Sequence, residues 1–319
     1  MRGEPMSATV SVHIVTFNSG KDIEACLEAV FGQTFPIDQI IIVDNASADD
    51  TIQQVEAIQS RESIPVPISL VANADNAGFA PAHNQAIRIS RADYMLILNP
   101  DVILTPTYVE HLIRIMNKDQ GIGSATGMLV FQSHPEIIDS TGLVMNRIWR
   151  AFDRGAGESA DNWKLSGDVF GVSGAAAMYS RTMIEAISIK DKFFDDDFFA
   201  YKEDVDVAWR ARLFGFKSYY CAEAIGYHKR GWKKGSRKQQ PLFIRRYSFI
   251  NRYKMLYKNL RPSAWKKQLL ALLAYEVAVH AYMLLREPKV LGAWLDFRKQ
   301  LPELREKRRE IEEKLTGVK

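Results

Sequence analysis

Along the first hundred residues, runs of consecutive apolar residues alternate with segments whose apolar residues recur at helical spacing. The apolar runs predict four buried strands, at 10–17, 40–43, 68–72 and 94–98. The intervening segments predict helices at about 21–31, 50–60 and 80–90. Continuous apolar strands that alternate with helices are typical of a mostly parallel central sheet with helices on both faces. The pattern therefore predicts an α/β fold.

Each predicted strand ends in a cluster of polar residues. The clusters are Thr16 with Asn18, Asp44 with Asn45, Asn73 with Asp75 and Asn76, and Asn99 with Asp101. Strand termination alone explains any one of them, but ligands bind such sheets at the carboxyl ends of their strands. Four clusters in the same place favour a nucleotide-type pocket. The sequence has no GxGxxG and no GxxxxGK[ST], so neither a dinucleotide site nor a P-loop is supported.

The order of these motifs resembles a known family. The segments VSVHIVTFNSG, IIVDNASADDT, NADNAGFAPAHNQAI and YMLILNPDV resemble the donor-binding half of family 2 glycosyltransferases, which have a GT-A fold. The segments FGVSGAAAMYSR, FFDDDFFAYKEDVDVAWRARLFGFK and GYHKRGW resemble the acceptor half of that family. The combination is most similar to its bacterial rhamnosyltransferase-like branch and covers residues 10–259.

The resemblance implies a division of the chain. A GT-A catalytic domain would occupy residues 1–228, with a donor-binding half at 10–101 and an acceptor and catalytic half at 102–228. A basic helical region would follow at 229–319. The donor-binding residues implied by the resemblance are Thr16, Asn18, Asp44, Asn45, Asn76, Gly78, Phe79, Asn84, Asn99 and Asp101.

The tripeptide Asn99-Pro100-Asp101 stands at the position of the family's DxD motif. By resemblance, Asp101 and His228 would bind Mg²⁺ or Mn²⁺. Oxygen ligands suit both cations, and imidazole suits Mn²⁺ better than Mg²⁺. Because Asn99 is a weaker ligand than the usual Asp, the pyrophosphate of the donor would have to complete the site. The alternative is a Pro-containing turn after a strand.

The pair Glu203-Asp204 is implied to carry the chemistry. Inverting transfer is a single displacement, in which a carboxylate takes the proton of the attacking hydroxyl. By resemblance Asp204 is this base, and Glu203 binds or orients the acceptor. As an alternative, Glu203, Asp204 and Asp206 could be acids of a helix N-terminus, where the macrodipole favours them. We expect such a structural role for Asp206 in particular.

The sequence therefore predicts an inverting, metal-dependent glycosyltransferase. The specific hypothesis is transfer of L-rhamnose from dTDP-rhamnose to a hydroxyl of a surface glycan linked to polyprenyl pyrophosphate. One alternative keeps the reaction but uses a UDP-hexose donor. Another, suggested by the incomplete DxD, is a non-catalytic protein that binds a nucleotide-sugar or a lipid.

The charge is distributed unevenly. The chain has 42 Lys/Arg and 38 Asp/Glu, yet residues 229–267 hold fourteen Lys/Arg and no acid. Within and after this block we predict helices at 242–260, 264–286 and 301–315, the second largely apolar. Basic amphipathic helices bind anionic membrane surfaces. The alternative is a helical subdomain that packs on the core and forms a homodimer; nucleic acid is not expected, because no binding motif accompanies the charge.

Cellular location is predicted from the cysteines and the N-terminus. The two cysteines, Cys26 and Cys221, lie far apart in no CxxC spacing, which fits a reducing compartment. The first residues lack the basic-then-apolar plan of a secretory signal. We therefore expect a cytoplasmic protein that is peripheral on the inner face of the cell membrane.

Overall fold

The computed structural model describes residues 8–230, 239–261 and 268–317. Its strands are β1 Val10–Thr16, β2 Gln39–Asp44, β3 Ile68–Ala72, β4 Tyr94–Leu98, β5 Val102–Leu104, β6 Ile122–Phe131, β7 His134–Ser140, β8 Leu143–Met145, β9 Ala151–Asp153, β10 Gly167–Val169, β11 Ala176–Ser180 and β12 Lys217–His228. Its α-helices are α1 Ile23–Phe31, α2 Thr51–Gln59, α3 Phe79–Ile89, α4 Tyr108–Lys118, α5 Arg181–Ile187, α6 Glu203–Leu213, α7 Leu242–Asn259, α8 Leu269–Arg286 and α9 Ala293–Thr316. Short 3₁₀ helices lie at Ala160–Trp163 and Pro288–Gly292.

One large mixed sheet forms the centre of the molecule. Its strand order is β10-β12-β6-β11-β4-β1-β2-β3. The four strands of the first hundred residues are parallel to one another, as their continuous apolar sequences predict. Strand β11 runs antiparallel between β4 and β6, and β12 is parallel to β6. The predicted α/β sheet is confirmed.

Helices cover both faces of this sheet. On one face, Val12 and Ile14 of β1 are fully buried in a core with α1, α2 and α4. On the other face, Ile97 of β4 packs with α5 and α6, and Val43 of β2 packs against α3. The central strands are therefore mostly apolar, because neither face meets water, and the buried polar side chains Ser11 and His13 of β1 are hydrogen-bonded to each other.

The antiparallel strand β11 sets the position of the candidate site. Its first residue, Ala176, pairs with Leu98, the last residue of β4. The pairing continues one step further, since the Asn99 N–H donates to the Ala175 carbonyl at 2.8 Å. Residues 172–175 are thereby held over the carboxyl end of β4, beside Asn99-Pro100-Asp101.

The predicted helical C-terminal region is present and packs against the sheet domain. Helix α7 contacts α6 and α9. Helix α9 begins at Ala293, eight residues before the predicted start, and Pro302 lies inside it. The reason is tertiary packing along the whole helix, which offsets the backbone cost of Pro302: the Trp294 ring lies 4.6 Å from the Tyr253 ring of α7, and Ala293 and Leu304 are fully buried. Residues 231–238 and 262–267 of the basic block lie outside the described residues.

Candidate active site

The carboxyl ends of β1 and β2 are held together by Asp44. Its carboxylate is fully buried and accepts hydrogen bonds from Thr16 Oγ1 at 2.7 Å and from the Ser47 N–H at 2.8 Å. The Ser47 hydroxyl donates a further bond to the same carboxylate. Thr16 and Asp44 thus meet where the sequence predicts a nucleotide pocket, and their contacts fix the shape of the β2–α2 loop.

Asn18 and Asn45 join this loop to its neighbours. Asn18 is exposed, adopts a left-handed φ of 53°, and accepts the Ala48 N–H at 2.8 Å through its side chain. The Asn45 amide donates to the Gly78 carbonyl at 3.1 Å. Between Thr16 and Asn18 stands Phe17, whose ring is half exposed at the same edge of the sheet. An exposed aromatic at this edge is a feature that the sequence motifs alone do not single out.

The loop before α3 is hydrogen-bonded to the acidic segment, residues 193–202, which precedes α6. Asn76 accepts the Gly78 N–H at 2.9 Å, and the Phe79 N–H donates to the Phe199 carbonyl at 2.8 Å. Gly78 has a φ of +91°, and a Cβ there would lie 2.6 Å from the same carbonyl. Only glycine suits this backbone and this close approach. Asn76, Gly78 and Phe79 therefore connect the donor half to the acceptor half.

Asn84 lies deeper than the other donor candidates. Its amide nitrogen donates to the Phe194 carbonyl and to Asp196 Oδ1, both at 2.7 Å, and its oxygen accepts the Phe194 N–H at 3.0 Å. The side chain is almost completely buried. These contacts attach the acidic segment to α3 at Phe194. In the structure, Asn84 therefore holds that segment in place.

Asp101, between β4 and β5, lies close to His228, the last residue of β12. His228 Nε2 lies 3.3 Å from Asp101 Oδ1, because β12 pairs with β5 and brings residue 228 opposite Val102. Burial lowers the pKa of His228, but the hydrogen bonds and charges of Asp101 and Asp139 outweigh burial and raise it to about 9. Asn99 contributes its backbone N–H to Ala175, as described above.

A second carboxylate stands behind His228. Asp139, at the end of β7, is buried and lies 2.7 Å from His228 Nδ1 through its Oδ2. Its other oxygen is paired with Arg230, whose guanidinium also binds Asp153 Oδ2 at 2.9 Å. The sequence reasoning assigned no role to these three residues. Arg230 lies within the quoted segment GYHKRGW, but no motif surrounds Asp139 or Asp153, and the contacts span long stretches of chain.

These residues fit an open metal site. The Asp139 carboxylate holds the Nδ1 side of the imidazole and leaves Nε2 directed at Asp101, an arrangement typical of metal-binding histidines. In the part of the chain that the structure describes, no group of three or more His, Cys, Asp or Glu residues could hold a metal alone. Asp101 and His228 would therefore supply two ligands, and substrate oxygens or water the rest.

Glu203 and Asp204 begin α6 after a strained turn. Tyr201 and Lys202 both have left-handed φ values, 70° and 75°, which cost free energy for residues with side chains. Asp204 Oδ1 accepts its neighbouring Val205 N–H at 2.7 Å, and its Oδ2 lies 3.4 Å from the Gly174 N–H. Glu203 is buried, and its Oε2 has no hydrogen-bond partner among the described residues.

The two acids differ in their ionisation. Burial raises the pKa of Glu203 to about 8, and the charge of Asp204 adds to the rise. Burial also raises the pKa of Asp204, and the charge of Lys202 opposes this rise. Two neighbouring carboxyls do not readily ionise together. At neutral pH Glu203 is therefore the protonated member of the pair. The Val205 and Gly174 N–H groups partly offset the rise in the pKa of Asp204, which suits Asp204 for accepting a proton.

Asp206, the third acid of α6, has a different environment. It is fully buried and binds Arg210 at 3.0 Å, Lys258 at 3.0 Å and the Asn259 amide at 2.7 Å. These partners place it in an ion network between α6 and α7. This is the structural role that the sequence predicts for Asp206.

Backbone contacts bring Asp101 and Asp204 to one region. Ala175 binds the Asn99 N–H, and Gly174, the preceding residue, directs its N–H at Asp204. A Cβ on Gly174 would meet the Phe79 ring at 3.3 Å and Asp204 Cβ at 3.9 Å. The Gly174 backbone is thus close to residues from four elements. They lie at the end of β4, just before β11, and at the starts of α6 and α3. A ligand bound among them would approach the Gly174 backbone.

Comparison with known proteins identifies related chains. The family model "Glycosyl transferase family 2" matches residues 11–188, more than half of the chain. Hyaluronan synthase of Streptococcus pyogenes is 30% identical over 192 residues, which are 57% of this chain and 43% of that protein. This chain therefore spans less than half the length of that curated relative.

Solved structures of low sequence identity share the fold. The mannosyltransferase PcManGT of Pyrobaculum calidifontis, in complex with GDP-Man and Mn²⁺, has a TM-score of 0.57 at 16% identity and covers 98% of this chain and 86% of its own. Residues 1–349 of S. aureus TarS, in complex with UDP, have a TM-score of 0.57 at 16% identity and cover 97% of this chain and 90% of that one. The fold described above is of the GT-A type.

Proposed function

This chain belongs to glycosyl transferase family 2, and we propose that it transfers a sugar from a nucleoside diphosphate to an acceptor hydroxyl, with inversion at the anomeric carbon. The observation that carries the proposal is the bridge of Gly174 and Ala175 between Asp204 and Asn99. Single-displacement transfer needs a base for the acceptor and charge stabilisation for the leaving diphosphate in one cleft. The bridge supports such a cleft.

The nucleoside would bind at the carboxyl ends of β1 and β2. Thr16 and Asn18 would line the base pocket, and Asp44 and Asn45 would lie against the base or ribose. Their interlocked hydrogen bonds support this role because they hold the pocket in shape before the ligand arrives. The exposed ring of Phe17 adds an apolar surface for the base.

The sugar and diphosphate would lie between the two halves of the domain. Asn76, Gly78 and Phe79 would form one wall, and Asn84 would support the acidic segment behind it. Asp101 and His228 would hold Mn²⁺ or Mg²⁺, with Asn99 beside them. When bound, the cation would neutralise the charge that develops on the departing diphosphate. The Mn²⁺ in the PcManGT complex supports this cofactor class.

Asp204 would take the proton from the acceptor hydroxyl. Glu203, protonated at neutral pH, would donate a hydrogen bond to the acceptor and orient it, since its Oε2 lacks a partner among the residues described. Gly174 would allow the acceptor or donor to approach the backbone between Phe79 and Asp204. The strained turn at Tyr201 and Lys202 directly precedes the two acids and supports this proposal, because such strain is found most often at functional sites.

Two nucleotide-sugars are candidate donors. The resemblance to the rhamnosyltransferase-like branch favours dTDP-rhamnose, whereas the UDP bound to TarS favours a UDP-hexose. Isothermal titration of the protein with dTDP and with UDP, each with Mn²⁺, separates them. Tighter binding of dTDP supports the rhamnose donor, and equal or absent dTDP binding removes it.

Enzymatic activity itself is tested with a panel of nucleotide-sugars. We expect transfer to a glycan acceptor, and linkage analysis of the product should show inverted configuration. The hyaluronan synthase relative, whose product is a glycan, supports an acceptor of this class, which we place on polyprenyl pyrophosphate. If the wild-type protein neither hydrolyses nor transfers any donor, the second candidate, a non-catalytic nucleotide-sugar- or lipid-binding protein, is favoured.

The helical region at 229–319 would dock on an anionic membrane surface at the cytoplasmic face. Helix α8 has a mean hydropathy of 1.5 and is long and apolar enough to cross a membrane, by length and composition only. Its Glu276, however, is bound by Arg252 and by Tyr253 Oη at 2.6 Å, which holds the helix against α7. This contact supports an interfacial helix.

Vesicle flotation tests the membrane proposal. At low salt the protein should float with vesicles that contain anionic lipid and stay in the soluble fraction with neutral vesicles, because the attraction of basic residues to lipid is screened by salt. Failure to float with anionic vesicles would contradict it. The domain boundary at residue 228 and the homodimer both stay predictions. Light scattering, which measures the mass of the protein in solution, tests the homodimer.

A further inference from the structure

A cavity of about 460 Å³ lies between the β8–β9 hairpin and helices α7 and α8. Its walls are mostly apolar and aromatic: Phe249 and Tyr253 belong to α7, and Tyr275, Val279 and Met283 to α8. The volume is within the range of small-molecule binding sites. The residues of the proposed donor cleft do not line this cavity.

The same cavity is lined by three cations. The Arg252 guanidinium binds Glu276 and the Ile148 carbonyl, but its buried Nε has no hydrogen-bond partner among the residues that the structure describes. Arg150 lies over the Tyr275 ring at 5.0 Å, and neither it nor Lys202 forms an ion pair within residues 8–230, 239–261 and 268–317. Apolar walls with two cations that form no ion pair among the described residues, Arg150 and Lys202, favour a ligand that has both an apolar part and an anionic group.

One end of the cavity adjoins the proposed base. Lys202, in its wall, is followed directly by Glu203 and Asp204. The β8–β9 hairpin places Arg150 in the same wall and Asp153, three residues on, against Arg230. The charges of Lys202 and Asp153 both act on the Asp204 carboxyl, so a ligand whose anionic group lies at Lys202 and Arg150 would lie near Asp204.

The other end adjoins an apolar surface. On α8, Val279 and Met283 face the cavity, whereas Leu273 and Val277 are 52% and 70% exposed. Leu284 and Leu285 continue this exposed surface. An apolar chain too long for the cavity would thus continue along α8 without leaving an apolar environment, as a lipid would at a membrane interface.

We propose that this cavity binds the carrier part of the acceptor, a long alkyl or isoprenyl chain that bears a phosphate or diphosphate. The anionic group would lie at Lys202, Arg150 and Arg252, and the chain between α7 and α8. This assignment rests on the proposed function, since it presents the sugar carried by that phosphate to Asp204. A free anion would not need the aromatic walls, and a neutral lipid would not need the cations.

Farnesyl diphosphate is a suitable probe, titrated into the full-length chain by calorimetry below its critical micelle concentration. Mn²⁺ and a saturating concentration of whichever nucleotide binds, dTDP or UDP, keep the probe out of the donor cleft. Farnesol and inorganic diphosphate test each half of the probe separately. We expect both to bind at least tenfold more weakly than farnesyl diphosphate.

Two tryptophan variants on one helix locate the binding. Val279→Trp fills the cavity and should weaken farnesyl diphosphate binding at least tenfold. Val277→Trp adds the same side chain on the exposed face and should bind within twofold of wild type. Unchanged nucleotide binding by Val279→Trp shows that the variant is folded. Arg150→Ala should weaken the diphosphate probe but leave farnesol unaffected.

Equal binding by Val279→Trp and wild type would overturn the proposal, and so would inorganic diphosphate that binds as tightly as the farnesyl compound. The outcome is distinguishable from failure of the proposed function. If the cavity binds the probe but no donor sugar is ever transferred, the site stands and the transferase assignment fails. If transfer occurs and Val279→Trp uses lipid-linked acceptor as well as Val277→Trp does, the transferase stands and the cavity assignment fails.

Discussion

The Nδ1 atom of His228 lies 2.7 Å from the buried carboxylate of Asp139, while its Nε2 atom faces Asp101 at 3.3 Å. The imidazole is therefore fixed from behind by one acid and directed at another. Arg230 donates a hydrogen bond to the second oxygen of Asp139, and this contact restrains the rotation of the carboxylate. An acid in this position sets the tautomer and basicity of a metal-binding histidine.

Asp139→Asn should weaken Mn²⁺ binding in the presence of nucleoside diphosphate by about 10–100-fold. The substitution keeps the size of the side chain but removes the charge that supports the Nδ1–H of His228. Calorimetric titration of Mn²⁺ into the protein–nucleotide mixture measures the affinity directly. It requires no catalytic turnover.

A control for this variant lies on the same strand. Glu136→Gln removes one negative charge from an exposed position of β7, three residues from Asp139. It should leave the Mn²⁺ affinity within about twofold of wild type, because exposed charges are well screened. If both variants lose affinity equally, net charge rather than orientation of His228 is responsible.

The neighbouring acids of α6 should respond differently to amide substitution. Asp204→Asn should lower kcat by about 10²–10⁴-fold, because it removes the proposed base. Glu203→Gln should cost less than about tenfold, because Glu203, with its pKa raised to about 8, is already protonated at neutral pH and an amide can donate a similar hydrogen bond. Initial-rate kinetics of sugar transfer at pH 7 compares them. The base assignment is wrong if Asp204→Asn is the milder change.

The sequence predicted the first half of the fold closely because its strands are nearly continuous apolar runs, and three of them, β1, β2 and β4, are almost completely buried. The expected strands at 68–72 and 94–98 have the bounds found for β3 and β4. The longest strands of the second half gave no such signal. Strand β6 contains Gly123 and Gly127, and a Cβ on Gly127 would lie 2.1 Å from the Ala224 carbonyl of β12. Close strand packing required small residues there, which removed the apolar pattern.

The candidate site was predictable where motifs exist and not elsewhere. The motifs named Asp101, His228 and Asp204, whose joint role stays a prediction. In the structure Asp101 contacts His228, and Gly174 and Ala175 contact Asp204 and Asn99. Asp139 could not be found this way, because its partner is 89 residues away in the chain and its own neighbours form no motif. The anchoring contacts of Asn84 with Phe194 also depend on the fold, since they span 110 residues.

Lys258→Met should destabilise the protein by about 3–5 kcal/mol. Lys258 is fully buried and pairs with both Asp195 and Asp206, so its removal leaves two buried carboxylates with less compensation. Lys307 also binds Asp195, at 2.7 Å, and joins α9 to the same network. Urea denaturation followed by circular dichroism measures the change in the free energy of unfolding.

Lys314→Met is the matched control for this network. Lys314 lies on α9, where its ion pair with Glu310 is partly exposed to solvent and its Nζ also donates to the Ser188 carbonyl, so the substitution should cost only about 1 kcal/mol. Loss of sugar transfer by Lys258→Met at a temperature where it stays folded would show that the network also positions the acidic segment. Similar destabilisation by both variants would contradict the burial argument.

The pH dependence of stability tests the protonation of Glu203 independently of activity. Its pKa is about 8 in the folded protein and near the ordinary 4.5 once unfolding exposes it. Between these values the folded state retains a proton that the unfolded state has lost, so the free energy of unfolding falls as pH rises. Glu203→Gln cannot titrate and should escape this loss. Relative to wild type it should gain about 1–3 kcal/mol between pH 5 and pH 8 in urea denaturation.

Asp204→Asn should show a smaller gain, because it removes only part of what raises the pKa of Glu203. Parallel stability curves for Glu203→Gln and wild type across this range would mean that Glu203 is ionised in the folded protein, and its assignment as a hydrogen-bond donor to the acceptor would fail with it.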